Sequence, residues 1–256
     1  MATDRRRFFA SGLAAAGAAA LSACGKKKAD AKADPPGQPT GPLHAFLVEN
    51  GLPGQTGFSV GLLATRDPAA QVLALANIRR QTKFRTELEF ASTNRFKLAF
   101  LKPAFDHFAA SRDLKAAQVT ATEFAGWAGK SDADRQAAYL AAYRALLHLL
   151  PEADRAGMFV HLAARSSGGR RDAKLAAGLQ TGIGQGATVS LDGERFRDLP
   201  QLASVLFGSI RYAAGPMRSK TKRRTVELLK AALKAPALDA ASLTAGGRIA
   251  AASQAF

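Results

Sequence analysis

Short apolar runs alternate with longer segments of helical periodicity, and this alternation constrains the fold more than any other feature of the chain. Apolar runs of about four to eight residues predict buried strands, and apolar residues every three or four positions predict helices. Their order predicts a sheet with helices on its faces, of the α/β or α+β class, and we favour α/β. The predicted strands are 45–49, 58–64, 114–122, 158–164 and 187–191, and the predicted helices are 68–81, 93–111, 132–150, 173–181, 199–213 and 221–233.

These segments predict one domain over residues 43–235. Asn50-Gly51 is a turn pair, so residues 50–57 are expected to be the loop of a hairpin between the first two strands. In the helix 93–111, the side chains of Phe96, Phe100, Phe105 and Phe108 recur at helical spacing and are expected to be core. Residues 236–256 are Ala-rich with weak signals and are expected to be a C-terminal tail.

The first 23 residues have the composition of a signal peptide. Arg5, Arg6 and Arg7 precede Phe8, and the 14 residues from Ala10 to Ala23 are nearly all Ala, Gly, Leu and Ser. A helix of that length spans roughly 21 Å, too short for a bilayer core of about 30 Å. Residues 1–23 resemble a twin-arginine signal, with Arg5, Arg6 and Phe8 as the export residues, although Asp4 stands where that pattern has Ser or Thr. The resemblance implies export and cleavage.

Leu21-Ser22-Ala23-Cys24 resembles a lipobox and contains the only cysteine of the chain. The resemblance implies that the Cys24 thiol accepts a diacylglyceryl group, which would anchor the protein to a membrane. Gly25 follows instead of the Asp that often retains lipoproteins at the inner membrane, so the sequence favours the outer membrane, with the protein facing the periplasm. Residues 24–42 are polar and rich in Pro and Gly, and they predict a flexible tether after the lipidated cysteine. A single cysteine also excludes an internal disulfide.

The formal net charge is +16. A chain this basic suits anionic surfaces such as phospholipid, lipopolysaccharide or nucleic acid, but charge alone does not choose among them. The alternative interpretation is that arginine serves general solubility.

The residue pattern offers little conventional chemistry. The chain has four histidines and one cysteine, and no two histidines are spaced i, i+4. No zinc site is therefore predicted at His44, His107, His148 or His161. His148, within a run of leucines, is expected at the core or its boundary. The glycines of 182–186 follow a predicted helix and precede a predicted strand, the reverse of a nucleotide-binding loop, and are interpreted as a helix stop.

Three segments carry more information: 46–51 on the first strand, 87–92 before the second helix, and 200–210 on a later helix, with Asp192 just upstream. In order and spacing they resemble the family catalogued as domain of unknown function 3800, over about residues 45–215. Members of that family look like RNase H-like folds and are regarded as metal-dependent nucleases. The resemblance therefore implies an RNase H-like mixed sheet flanked by helices, with matches at Glu49, Glu87, Asp192 and Gln201.

Departures from the family pattern decide the functional prediction. Val48 and Ser204 stand where the family has Asp, and Glu89 stands where it has Lys. Phosphodiester hydrolysis by two metal ions needs several converging carboxylates, because Mg²⁺ and Mn²⁺ prefer oxygen ligands.

The sequence therefore predicts a non-catalytic domain without a cofactor, which binds an anionic polymer or a protein of the cell envelope. The alternative is a metal-dependent nuclease outside the cytoplasm, with Mg²⁺ or Mn²⁺ held by Glu49, Glu87 and Asp192 and nucleic acid as its substrate.

Overall fold

Six strands form one mixed sheet in the computed structural model, which describes residues 41–50, 58–121, 131–162, 170–183, 186–191, 193–245 and 249–254. The strands are β1 (His44–Asn50), β2 (Ser59–Thr65), β3 (Lys115–Ala121), β4 (Phe159–Leu162), β5 (Thr188–Ser190) and β6 (Ile249–Gln254). Their order across the sheet is β5-β4-β1-β2-β3-β6. The strand β2 is antiparallel to β1 and β3, whereas the pairs β1–β4, β4–β5 and β3–β6 are parallel.

The helices confirm the α/β prediction. They are α1 (Pro68–Gln81), α2 (Leu98–Ala110), α3 (Asp132–His148), α4 (Glu152–Arg155), α5 (Arg170–Gln180), α6 (Asp198–Ala213), α7 (Lys220–Leu233) and α8 (Ala240–Ala245), with a 3-10 helix at Gly193–Phe196. Local chemistry explains several starts. Asp67 accepts a hydrogen bond from the Ala70 amide at 2.9 Å ahead of α1, and Ser131 and Asp134 form a capping box at α3.

Contacts divide the chain into two units, Met1–Gly37 and Gln38–Phe256, and every described residue belongs to the second. The predicted signal peptide with Arg5, Arg6 and Phe8, the predicted lipidation site Cys24 and most of the tether therefore lie outside the described residues. Among the residues that the structure does describe, no helix is long and apolar enough to cross a membrane.

The sheet separates two helical layers. Alternation along β1 directs Phe46 and Val48 to one face and Ala45 and Leu47 to the other. The first face packs against α1, α2, α6 and α7, which we call layer A, and the second packs against α3 and α5, which we call layer B. Because helices cover both faces, the central strands β1 and β2 are largely buried on both sides, as their apolar runs indicated.

The helix α2 begins five residues later than predicted. The Asn94 side chain accepts a hydrogen bond from the Phe96 amide at 3.0 Å, and the Lys97 amide donates to the Asn94 carbonyl at 3.1 Å. This local turn competes with helical hydrogen bonding and delays the helix to Leu98. The expectation that Phe96 belongs to the core is therefore wrong, because its side chain is 71% exposed.

The C-terminal segment is part of the sheet, in contrast to the tail that weak sequence signals predicted. The strand β6 pairs in parallel with β3, and Leu238, Leu243 and Ile249 are buried in the layer A core. A strand of Ile followed by small and polar residues has little periodicity of its own. Its conformation depends on the free edge of β3, which is a tertiary feature.

An ionic network lies at the end of the sheet where β2 stops and β3 starts. Asp154 accepts from Arg66 Nη2 at 2.5 Å and from Lys115 Nζ at 2.6 Å. Burial raises the pKa of the Asp154 carboxyl, but hydrogen bonds and charge from Lys115 and Arg66 outweigh burial, so the net pKa is lowered. Nearby, Asp113 accepts from the Arg66 amide at 2.8 Å. These bonds fix the strand ends and the start of α1.

Candidate functional site: an arginine-lined groove

A groove of about 360 Å³ opens between α1, the segment 85–87, the 3-10 helix and the start of α6. Its lining is dominated by charged and polar side chains: Val72, Arg79, Arg85, Thr86, Glu87, Arg195, Arg197, Asp198 and Gln201. Four arginines and two carboxylates face one cavity, so the groove carries a net positive charge.

Arg79 holds the walls of the groove together. Its guanidinium donates to Asp198 Oδ1, to the Thr86 carbonyl and to Gln201 Oε1, each at 2.8 Å. The cationic carbon also lies 4.9 Å from the centre of the Phe84 ring, which adds a cation–π contact. Because all these bonds join α1 and the segment 85–87 to α6, Arg79 is a structural element of the groove and is not free to bind a ligand.

The rim of the groove is cationic. Arg197 forms an ion pair with Glu87, and both side chains are more than half exposed. Arg85 and Arg195 are exposed, and no carboxylate pairs with either of them among the described residues. Arg195 lies 5.4 Å from the centre of the Phe196 ring. Two guanidinium groups are therefore available at the rim, and walls of low dielectric increase their attraction for an anion.

A histidine pair lies beside the groove, on the layer A face of the sheet. His44 Nδ1 and His161 Nε2 are 3.0 Å apart, so one ring donates to the other and the pair is not doubly protonated in this arrangement. Phe46 stacks on His161 with 4.8 Å between ring centres, and Phe196 contacts both histidines edge-on. The parallel register of β1 with β4 brings these side chains to one face.

Two features lower the pKa of His44. Burial is the larger cause, and the charge of Arg195 adds to it. His161 is 6% exposed. The described residues contain no group of three or more His, Cys, Asp or Glu side chains placed to hold a metal ion. Two histidines alone do not complete a zinc site.

The structure separates two of the acids that the family resemblance implied. Glu49 lies on the layer B face, where its carboxylate accepts from the Tyr143 hydroxyl at 2.8 Å. Glu87 lies beside layer A and pairs with Arg197. The sheet therefore lies between Glu49 and Glu87, while Asp192 is outside the described residues.

The two substituted positions of the family motif are not exposed at the protein surface. Val48 is 6% exposed and packs in the layer A core, and Ser204 is half-buried on α6. A third motif residue, Gln201, reaches the groove, but its side-chain oxygen is occupied by Arg79 and by the Leu88 amide at 3.0 Å. At the two positions where the resemblance would place Asp, this chain has an apolar side chain and a hydroxyl.

Sequence reasoning did not find the groove. Arg79 and Arg80 fall in the last turn of a helix, where basic residues are common because they suit the helix dipole. The histidine pair leaves no local signal, because His44 and His161 are 117 residues apart and meet only through strand pairing. Alternation along β1 places His44 and Phe46 on one face. The sequence does not show that β1 pairs with β4, and this pairing brings His161 beside them. His148, expected at the core or its boundary, is exposed and is bonded to Arg155 at 2.7 Å.

Comparison with known proteins adds no relative. No family model, no curated protein and no solved structure matches this chain. The fold and the groove define an α/β protein with a mixed six-stranded sheet between two helical layers and a cationic groove beside one of them.

Proposed function

We propose that this protein is an exported lipoprotein whose RNase H-like domain is non-catalytic and binds an anionic partner in the cell envelope through the arginine-lined groove. One observation carries the binding role. The family-motif residues Glu87 and Gln201 line the groove, and both are engaged by arginines, Arg197 and Arg79. A centre that gathers cations in this way repels divalent metal ions and attracts anions.

The sheet supports the RNase H-like part of the proposal. Three successive antiparallel strands, β1, β2 and β3, are followed by β4 and β5, which add in parallel on the other side of β1. Such a mixed sheet with helices on both faces is compatible with the RNase H-like architecture. The loss of acids at Val48 and Ser204 then accounts for the non-catalytic role.

The sequence supports export and anchoring. Arg5, Arg6 and Phe8 precede a short apolar run that ends at Cys24. We expect a Cys24→Ala variant to lack the mass of the acyl chains and to be extracted from the membrane fraction by high salt, because it has no thiol to acylate and keeps only ionic contacts with lipid. Cell fractionation with mass spectrometry measures both. A variant that resists high-salt extraction as the parent chain does, and differs from it in mass only by the substitution, would refute the anchor.

The groove is tested by neutralising its two unpaired arginines. We expect Arg85→Gln/Arg195→Gln to weaken binding to inorganic polyphosphate and to reduce the slope of log affinity against log salt by about 1 to 2, because each lost contact releases fewer counterions. A matched control is Arg112→Gln/Lys174→Gln, which removes the same charge from exposed positions outside the groove. An equal loss in both variants would show that net charge, not the groove, determines binding.

A nuclease assay tests the competing function. The protein is incubated with single- and double-stranded DNA and RNA in Mn²⁺ or Mg²⁺, and we expect no cleavage. Cleavage that disappears in Glu87→Gln would replace the binding proposal with the metal-dependent nuclease.

A further inference from the structure

The start of α7 is an unusually basic surface. Arg218, Lys220, Arg223 and Arg224 are exposed, and none forms an ion pair or a side-chain hydrogen bond within the described part of the chain. The first turn of α7 contains no acidic residue. The first acid along the helix, Glu227, pairs with Lys230 at 3.5 Å. Positive charges at a helix N-terminus oppose the helix dipole, so this arrangement has an unfavourable energy that contact with anions would relieve.

An exposed aromatic side chain lies in the segment that packs against this surface. Lys222 lies 5.2 Å from the centre of the Phe90 ring, which joins the segment 89–97 to the first turn of α7. Six residues after Phe90 comes Phe96, which is 71% exposed, with the Arg95 guanidinium 4.8 Å from its ring centre. Aromatic rings flanked by cations are typical of surfaces that lie at the interface between bilayer and water.

This surface is at the far end of α6 from the groove. Asp198, at the start of α6, lines the groove. Tyr212 lies near the end of α6, and the centre of its ring is 5.8 Å from Lys222 Nζ. A helix of 16 residues is about 24 Å long. One surface can therefore be covered while the groove stays open.

We propose that Arg95, Phe96, Arg218, Lys220, Arg223 and Arg224 form a membrane face that rests on anionic phospholipid headgroups, with Phe96 entering the interface. The inference rests on the proposed lipid anchor. A flexible chain of 19 residues, the length of the predicted tether from Cys24 to residue 42, would have an end-to-end distance of roughly 25 Å and would keep the domain close to the bilayer. The membrane face then orients the groove away from the lipid, towards the envelope space.

The test uses vesicles and a chain starting at residue 24 with Cys24→Ala, which removes both the signal peptide and the acyl anchor. All described elements lie within the unit Gln38–Phe256, and thermal unfolding verifies that each variant is folded. Vesicles of phosphatidylcholine with about 30% phosphatidylglycerol, which gives the bilayer a negative surface potential, are compared with pure phosphatidylcholine by co-sedimentation. We expect binding only to the anionic vesicles.

Two variants separate the membrane face from net charge. Arg223→Gln/Arg224→Gln and Lys174→Glu change the net charge equally, and Lys174 is exposed on α5 in layer B. We expect the first to lower the vesicle partition coefficient by about 10- to 30-fold and the second by less than about twofold, because each basic residue near the surface contributes separately. Equal losses, or no binding of the parent chain, would overturn the proposal.

A third variant reports contact directly. In Phe96→Trp, brominated lipids in the anionic vesicles should quench the fluorescence of the introduced tryptophan. The signal of the native tryptophan is subtracted using the parent chain. No quenching in a variant that still binds would overturn the role of Phe96.

Binding to polyphosphate or DNA without binding to vesicles would assign the surface to a polymer. A failure of acylation appears only in the mass and fractionation of the full chain, so the two proposals fail separately.

Discussion

The two helical layers cover opposite faces of one sheet but differ in both core and surface. Six of the buried core residues of layer A are phenylalanines, whereas the layer B core has one, Phe58, and is otherwise made of Tyr143, aliphatic side chains and Met158. The segments around layer A, residues 66–113 and 193–239, contain 19 Lys or Arg and 9 Asp or Glu. The segments around layer B, residues 131–157 and 170–186, contain 6 Lys or Arg and 5 Asp or Glu. The excess positive charge of the domain is therefore concentrated on the layer with the larger aromatic core.

This difference indicates that the layer with the greater positive charge also has the core that stabilises it more. A surface with many like charges repels itself and lowers the stability of the folded state. The helices that carry those charges here are fixed by large rings, among them Phe105 and Phe207, which are completely buried. We infer that the aromatic core of layer A compensates for the repulsion of a cationic surface that is kept for binding.

The largest expected effect comes from cutting back the two cores. We expect Phe207→Ala to lower the free energy of unfolding by about 3 to 5 kcal/mol and Leu146→Ala, its counterpart in layer B, by about 2 to 4 kcal/mol, since the larger ring leaves the larger cavity. Both side chains are fully buried. Denaturant titration measures the two values, and a greater loss at Leu146 would reverse the ranking of the layers.

A smaller effect is expected at the ionic network that joins strand ends to α4. Asp154→Asn should lower the free energy of unfolding by about 1 to 3 kcal/mol, because Arg66 and Lys115 lose the charge that they bind. The control is Asp106→Asn, whose exposed pair with Lys102 at 2.8 Å should contribute less than about 1 kcal/mol.

The sign of the pH dependence at Asp154 follows from its lowered pKa. The network stabilises the protein fully above the pKa of the unfolded chain, about 3.9, and the contribution disappears as the pH falls below that value and through the folded pKa. Parallel acid-unfolding curves for the parent chain and Asp154→Asn would contradict this origin.

The smallest expected effect is a pH dependence that comes from His44 in the histidine pair of layer A. Because burial and Arg195 lower the pKa of His44, the unfolded chain binds more protons, and the free energy of unfolding should fall as the pH decreases below about 6.5. His44→Asn should reduce that decrease. Equal slopes for His44→Asn and the parent chain between pH 5 and pH 8, about the range in which histidine titrates, would exclude His44 as the source.

The fold was largely readable because hydrophobic periodicity is local. The helix predicted at 68–81 is α1, and the first two strands were predicted to within one residue and expected to form a hairpin. The late start of α2 was not predicted, because the competing turn at Asn94 involves one side chain and no change of composition. The strand β6 was not predicted, since its partner is more than a hundred residues away.

The candidate site was much less readable. Glu87 and Gln201 were identified by their motif, but the arginines that engage them were not, because each pair joins segments that are more than a hundred residues apart in the sequence. Gly61 shows the same dependence. A Cβ there would lie 2.3 Å from Phe207 Cδ2, so the glycine is needed for α6 to approach β2, which no local pattern indicates.

The sequence by itself determined the class of fold, the positions of most helices and strands, and the basic character of the chain, because all three depend on local patterns or on composition. It also carries the predicted export and lipidation signals, which are linear motifs. Only the tertiary structure decided which charges meet. The sheet holds Glu49 and Glu87 on opposite faces, and the packing of α1 on α6 gathers four arginines around one groove. Such proximity depends on strand order and helix packing, which contacts distant in the sequence establish.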